Sequence, residues 1–409
     1  MAIIKIKNQA IDLDAAEIPN LPATKITSGT FDNARISLDA AEIPNLDTAK
    51  ITTGTLADAR IPANALNSNV SVPNQSAFKN IIINGDMSIA QRATSTASIT
   101  GNGYHTIDRF NTINTTLGTW TQSQDTDVPS GYGFAKSLKM DCTTADASPA
   151  SGDRLDIQQK FEGQNLQYLK KGTSNAESLT LSFWVKATKT GTNICELWDS
   201  DNARQISQSY TISSSDTWEK KTLTFAGDTT GALGNDNGNS LQVSWFLAVG
   251  SNYSSGTLST TWTSNTNANR AVGQVNHADS TSNNFYITGV QLEAGTTASD
   301  FEFLPVDINL GRCQRYFELC TGSRSAYSYY AGVAYVNPFF FKVTKRATPS
   351  ISKAEANFTM FYNNGYDANV TWNSDIRSVD QITIYMSSTR PYGFIGPDET
   401  KPFKADSEL

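Results

Sequence analysis

The chain has 409 residues, 38% hydrophobic and only 17% charged, with a formal charge of −7. Its length allows two or three domains. The acidic balance without clustered Lys and Arg excludes counterion-release binding to nucleic acid, and no apolar run approaches the ~18 residues of a membrane span, so no membrane insertion is expected. The uncharged polar remainder, rich in Ser, Thr, Asn and Gly, suits exposed sheet faces and turns, and the expected fold class is all-β.

Met1–Lys5 lacks the apolar core and cleavage site of a secretory signal, so synthesis in a cytoplasm is expected. Residues 13–37 recur at 38–62 with seventeen of twenty-five positions identical, and internal repetition outranks other signals. Large apolar residues run Ile18, Leu21, Ile26, Phe31 and Ile36, then Ile43, Leu46, Ile51, Leu56 and Ile61, mostly five apart. That period is neither helical nor strand-like. Such sparse apolar groups cannot build a core from one chain, but they can meet their copies about a threefold axis. An extended trimeric stalk over 1–62 is therefore predicted. Pro19, Pro44 and Pro62 argue against a long coiled coil. A disordered polar linker is the other reading, although disorder does not require apolar residues in register. Residues 63–79 read as a hinge.

Residues 80–305 show short alternating or apolar runs between turn-rich segments: Asn80–Ile83, Leu155–Gln159, Leu179–Ala187, Trp218–Phe225, Leu241–Val249 and Asn284–Leu292. In Leu179–Ala187, Leu181, Phe183 and Val185 share one face, and Trp184 and Lys186 the other. Many short antiparallel strands fit a jelly-roll β-sandwich.

The stretch Asn80-Ile-Ile-Ile-Asn-Gly-Asp-Met-Ser-Ile-Ala-Gln-Arg92, with Tyr104-His-Thr-Ile-Asp-Arg-Phe110, resembles the opening of a jelly-roll domain of bacteriophage tail-fibre and receptor-binding proteins. Phe285-Tyr-Ile-Thr-Gly-Val-Gln-Leu-Glu-Ala-Gly295 and Phe301-Glu-Phe-Leu-Pro305 are similar to its close. The resemblance implies a fold like the carbohydrate-binding modules of glycoside hydrolases. It also implies sugar stacking on aromatic faces, with Trp184 and Trp198 as candidates and Trp120, Trp245 and Trp262 as further choices. A sandwich tryptophan is more often core, and Trp184 is the best exception because Phe183 and Val185 claim the interior. Sandwiches of this kind often carry a structural calcium. Glu293 is the contributor by position, although no acidic loop of regular ligand spacing is visible, and no other cofactor is expected.

Residues 306–320 read as a connector helix capped by Asp307, with Leu310, Cys313, Phe317 and Cys320 at helical spacing. Cys313 and Cys320 would then lie about 10 Å apart along its axis, too far for a disulfide. Reduced cysteines are expected. Residues 321–409 read as a second, β-sandwich-like distal domain, with strands at Ala326–Tyr335, Pro338–Thr344, Thr348–Ser352, Phe358–Tyr362, Asn369–Trp372 and Gln381–Met386. Tyr327, Tyr329 and Tyr330 could supply binding surface or fill its core.

Together the resemblance implies a virion-borne tail-fibre subunit acting as a homotrimer. Ile3, Ile4, Ile18, Leu21 and Ile26 would anchor it to tail or other virion proteins, and host surface polysaccharide such as lipopolysaccharide would be its ligand. A head fibre, decoration or adaptor protein uses the same modules. A depolymerase is disfavoured: no coil-length repeat follows residue 62, no carboxylate pair stands out, and neither His105 nor His277 adjoins a nucleophile elbow. The expectation is a protein that is not an enzyme.

Overall fold

The computed structural model describes residues 78–321, 324–330, 333–336, 338–353, 357–362, 365–387, 392–395 and 403–409; side chains at 324–336, 353–374, 376 and 384–395 lie outside that description. The chain divides into two units, Met1–Val72 and Pro73–Leu409. The stalk and its anchor residues Ile3, Ile4, Ile18, Leu21 and Ile26 lie outside the described residues.

The fold is all-β, and two antiparallel sheets form a sandwich. The first runs β1 (Ser95–Ile99), β4 (Thr119–Asp125), β5 (Ser137–Thr144), β13 (Asn284–Ala294), β7 (Leu179–Ala187) and β10 (Glu219–Phe225). The second runs β12 (Thr263–Ser264), β9 (Arg204–Ile212), β8 (Gly191–Asp199), β11 (Asn239–Val249), β6 (Arg154–Glu162), β3 (Asn111–Thr115) and β2 (Gly103–Tyr104). Alternation decides what each sheet buries. Leu181, Phe183 and Val185 of β7, Ile287 and Leu292 of β13, and Val243, Trp245 and Leu247 of β11 all join one core. Phe183 sits edge-on to both Tyr210 (5.1 Å) and Trp245 (6.0 Å). In β13 the register slips between Thr288 and Gln291. Gly289 adopts φ +59 there, and a Cβ at that position would come within 2.5 Å of the Phe134 ring, so the bulge requires glycine.

Asn80–Ile83, predicted as a strand, is not one. The Asn80 side chain takes the place of a ladder: Oδ1 accepts from Ile82 N (3.0 Å) and Leu292 N (3.1 Å), while Nδ2 donates to Val290 O (3.0 Å). The connector also differs from expectation. After the single-turn helix α1 (Ser251–Ser254), helix α2 spans only Val306–Gln314, and Phe317–Cys320 is strand β14. Pro305 holds the cap position with no side-chain cap bond, and Asp307 lies inside the first turn, where its charge suits the helix dipole. The helix stops because Tyr316 is anchored to Glu162, its hydroxyl donating to Oε1 at 2.5 Å, and the next residues pair with β23 (Phe403–Asp406).

Beyond it, β14, β23 and β18 (Ser350–Lys353) form a small sheet. A larger one runs β16 (Val333–Val336), β15 (Arg324–Tyr330), β22 (Tyr392–Ile395), β19 (Asn357–Tyr362), β20 (Gly365–Arg377), β21 (Gln381–Ser387) and β17 (Phe339–Phe340). β16 also pairs with β21, so this sheet closes on itself. The single strand expected at Ala326–Tyr335 is a hairpin of β15 and β16, and Pro338–Thr344 is strand only at Phe339–Phe340. Cys142, Cys195, Cys313 and Cys320 are free and buried.

Candidate functional site

Trp184 points away from the core, as its alternation with Phe183 and Val185 requires, and is half-buried on the outer face of the first sheet. It lies opposite Lys220 of β10 and Thr288 of β13. Two residues along β7, Lys186 lies opposite Tyr286, which lies opposite Lys139 of β5. The Lys186 ammonium is 4.3 Å from the Tyr286 ring centre and 5.8 Å from that of Trp218. Trp218 and Tyr286 meet at 6.1 Å. Four aromatic residues and three lysines thus share one face.

The fourth ring comes from the loop between β4 and β5. Tyr132, 55% exposed, packs on Trp184 with ring centres 4.3 Å apart. Phe134 fixes this loop by docking on Phe301 (5.1 Å) and Phe303 (5.2 Å). Thr288 Oγ1 donates to Lys136 O (2.7 Å) and Ser137 Oγ to Asp127 O (2.7 Å). Asp127 pairs with Lys186 and accepts from Trp218 Nε1 at 2.9 Å. Burial would raise its carboxyl, but these two bonds outweigh that and hold it below its ordinary value. An indole and an ammonium fixed by one carboxylate form a preorganised surface: the accessible rings offer stacking faces, and Lys139 and Lys220 can donate to hydroxyl or anionic oxygens.

Trp198 does not belong to this surface. It stands on β8, in the second sheet. The Arg270 guanidinium covers it at 4.6 Å while pairing with both oxygens of buried Glu196 (2.8 and 2.6 Å). Trp120 and Trp245 are fully buried core, and Trp262 donates to Ala226 O at 2.7 Å. Tyr327, Tyr329 and Tyr330 fall on β15, and their side chains lie outside the described residues. Sequence reasoning missed Tyr132, Trp218 and Tyr286. Only Tyr286 carried a signal, as the outward position between Phe285 and Ile287.

Both carboxylate oxygens of Glu293 are taken up by protein donors. Oε1 accepts from Gln291 Nε2 (2.8 Å) and Ser299 N (2.8 Å), and Oε2 accepts from Ser299 Oγ (2.7 Å). Calcium needs six to eight oxygens, and no group of three His, Cys, Asp or Glu residues suited to a metal occurs among the described residues. No step is assigned to a metal.

The buried titratable groups outside this surface give an opposed pair. Burial lowers His277 to about 4; its ring bonds Asn193 Oδ1 at 2.7 Å. Burial raises Asp108 to about 6, although Gln91 hydrogen bonds oppose it. The folded state rejects the histidine proton, so that stability is present above the unfolded value of 6.5 and lost as pH falls toward 4. The folded state retains the aspartate proton, so that stability is present below 3.8 and lost as pH rises through 6. Each amounts to about 3 kcal/mol and the two oppose. Asp108→Asn is therefore expected to gain stability relative to wild type by about that much as pH rises from 4 to 6.5, and His277→Gln to lose it. Urea midpoints across this range check both; a pH-independent difference from wild type would contradict the assignment.

No family model and no curated protein matches the sequence. Among solved structures, the chain is similar to the enzymatically active domain of bacteriophage CBA120 tailspike protein 4, at 15% identity and TM-score 0.29 over 53% of this chain and 21% of that one. It is also similar to the N-terminal cellulose-binding domain of a Cellulomonas fimi β-1,4-glucanase, at 11% identity and TM-score 0.26 over 51% of this chain and 100% of that one. A xylan-binding domain from Paenibacillus barcinonensis is a third, at 10% identity and TM-score 0.24 over 54% and 100%. The chain spans about a fifth of the tailspike structure. Likeness at this distance carries no argument about function, which rests on the surface itself.

Proposed function

We propose that the protein is a phage tail-fibre subunit that binds host surface glycan through the outer face of its first sheet, as a homotrimer mounted on the virion by its N-terminal repeat. The supporting observation is the cluster of Tyr132, Trp184, Trp218 and Tyr286 around Lys139 and Lys186. Tyr132, Trp184 and Trp218, left partly exposed over the buried Tyr286, cost hydrophobic free energy, and pyranose stacking recovers it. Binding without cleavage fits the charges, because a glycosidase needs two free carboxyl groups flanking the bond. Asp127 is committed to Lys186 and Trp218 and is held too acidic to donate a proton. Three copies would raise avidity above that of one weak site.

The test is binding of purified protein to envelope polysaccharide from the host. Trp184→Ala is expected to weaken it about tenfold per site, with little change in thermal midpoint because the ring lies outside the core. Absence of saturable binding by the wild-type protein would favour a head-fibre, decoration or adaptor role. Release of shortened glycan would establish a depolymerase.

A further inference from the structure

A second concave site lies at the base of the sandwich, where α2 meets the 3-10 turns after β6. The cavity encloses about 390 Å3, within the ~300–1,000 Å3 of small-molecule sites. Ile81, Ile83, Phe161 and Leu166 supply apolar wall. Tyr168 and Tyr316 supply rings, and the exposed Asn165 lies at its edge.

Two guanidinium groups line it, in different states. Arg315 is matched by Glu162, Nε to Oε1 at 2.8 Å and Nη2 to Oε2 at 2.7 Å. Arg312 enters no ion pair among the described residues and donates at 3.3 Å to Asn80 O. A guanidinium has five N–H donors; Arg312 borders this cavity and also a smaller cleft with Glu302 and Asn309, so the donors that Asn80 does not take are divided between the two. Burial holds Arg312 below its ordinary value, and the Glu302 charge offsets this only in part. Burial also pushes the Tyr168 hydroxyl up to about 12, with Arg312 acting against the rise, so ring and cation lie within electrostatic reach of each other.

We propose that this cavity binds a carboxylate-bearing sugar residue of the uronic acid class, with the carboxylate on Arg312 and the ring against Tyr168. A planar carboxylate matches the guanidinium fork in a bidentate pair. A sugar is favoured over a plain apolar acid because the lining also holds the Asn165 amide and the Tyr168 hydroxyl, groups able to bond ring hydroxyls. The site is separate from the Trp184 surface and stands whether or not that surface binds polysaccharide.

The full chain is titrated with sodium glucuronate, glucose and benzoate by calorimetry and saturation-transfer NMR. Glucuronate is expected to bind saturably and at least tenfold more tightly than either of the others. Arg312→Ala is expected to weaken it about 10- to 100-fold, Arg312→Lys less, and Tyr168→Leu, which keeps apolar packing against the core, to remove ring saturation transfer, each in a protein that still unfolds cooperatively. Equal affinity for glucose would overturn the role of the carboxylate, and equal affinity for benzoate the sugar assignment. Undiminished binding by a folded Arg312→Ala protein would overturn the site. So would loss in Trp184→Ala alone, which would move glucuronate to the other surface.

Discussion

Arg109→Ala is expected to destabilise the protein by about 3–5 kcal/mol, as removing one partner of a buried ion pair does. Arg109 is fully buried and takes φ +73, a left-handed conformation that costs a non-glycine residue energy and that its side-chain contacts must offset. Nη1 pairs with Glu408, Nη2 donates to Lys160 O at 2.6 Å, and the guanidinium lies 3.5 Å from the Tyr316 ring centre. Burial would lower its pKa, but Glu408 holds it above the ordinary value. Beside it Arg92 reaches Asp406 (3.1 Å) and Glu408 (3.4 Å) and covers the Phe317 ring at 3.7 Å. Residues 315–317 and 406–408 are thus fastened to the sandwich by buried cations, and the loss would leave Glu408 with only its longer contact to Arg92. Lower urea midpoints and faster proteolysis within 315–409 are the expected readouts. A cost below about 1 kcal/mol would mean that Glu408 finds water instead.

How much of this was legible depended on the range of the interaction. Leu179–Ala187 was read with its bounds and both faces, because strand alternation is written into consecutive residues. Phe317–Cys320 was read as helix because Leu310, Cys313, Phe317 and Cys320 satisfy helical spacing. The pairing that overrides it, with Phe403–Asp406, lies more than eighty residues away in the chain. Trp184 and Trp198 both stand at outward positions of a strand, the first between Phe183 and Val185 and the second between Leu197 and Asp199. Which is open follows from Arg270 covering Trp198, a contact from a loop the sequence does not place. Tyr132 was invisible for the same reason: its position depends on Phe134 docking against Phe301 and Phe303. The candidate surface was therefore half readable, in the strand that carries Trp184, and half hidden in the loop that completes it.

Lys345→Met is expected to cost about 3–5 kcal/mol, and the double substitution Lys345→Met with Glu318→Leu to recover most of that loss. Lys345 and Glu318 are 1% and 2% exposed. The ammonium donates to Glu318 Oε2 (2.5 Å), Gln314 O (2.5 Å) and Val343 O (3.3 Å), matching its three protons. Glu318 in turn accepts from Lys342 N at 3.1 Å. The pair joins the end of α2 and β14 to the segment 341–345, where the ammonium lies 4.9 Å from the Phe341 ring centre. Methionine removes the charge but leaves a desolvated carboxylate, which is where the cost arises. Removing both charges removes both desolvation penalties, and apolar groups of similar volume repack in their place. A coupling energy near zero in this double-mutant cycle would show that the two side chains are independently solvated and that this pair does not fasten α2.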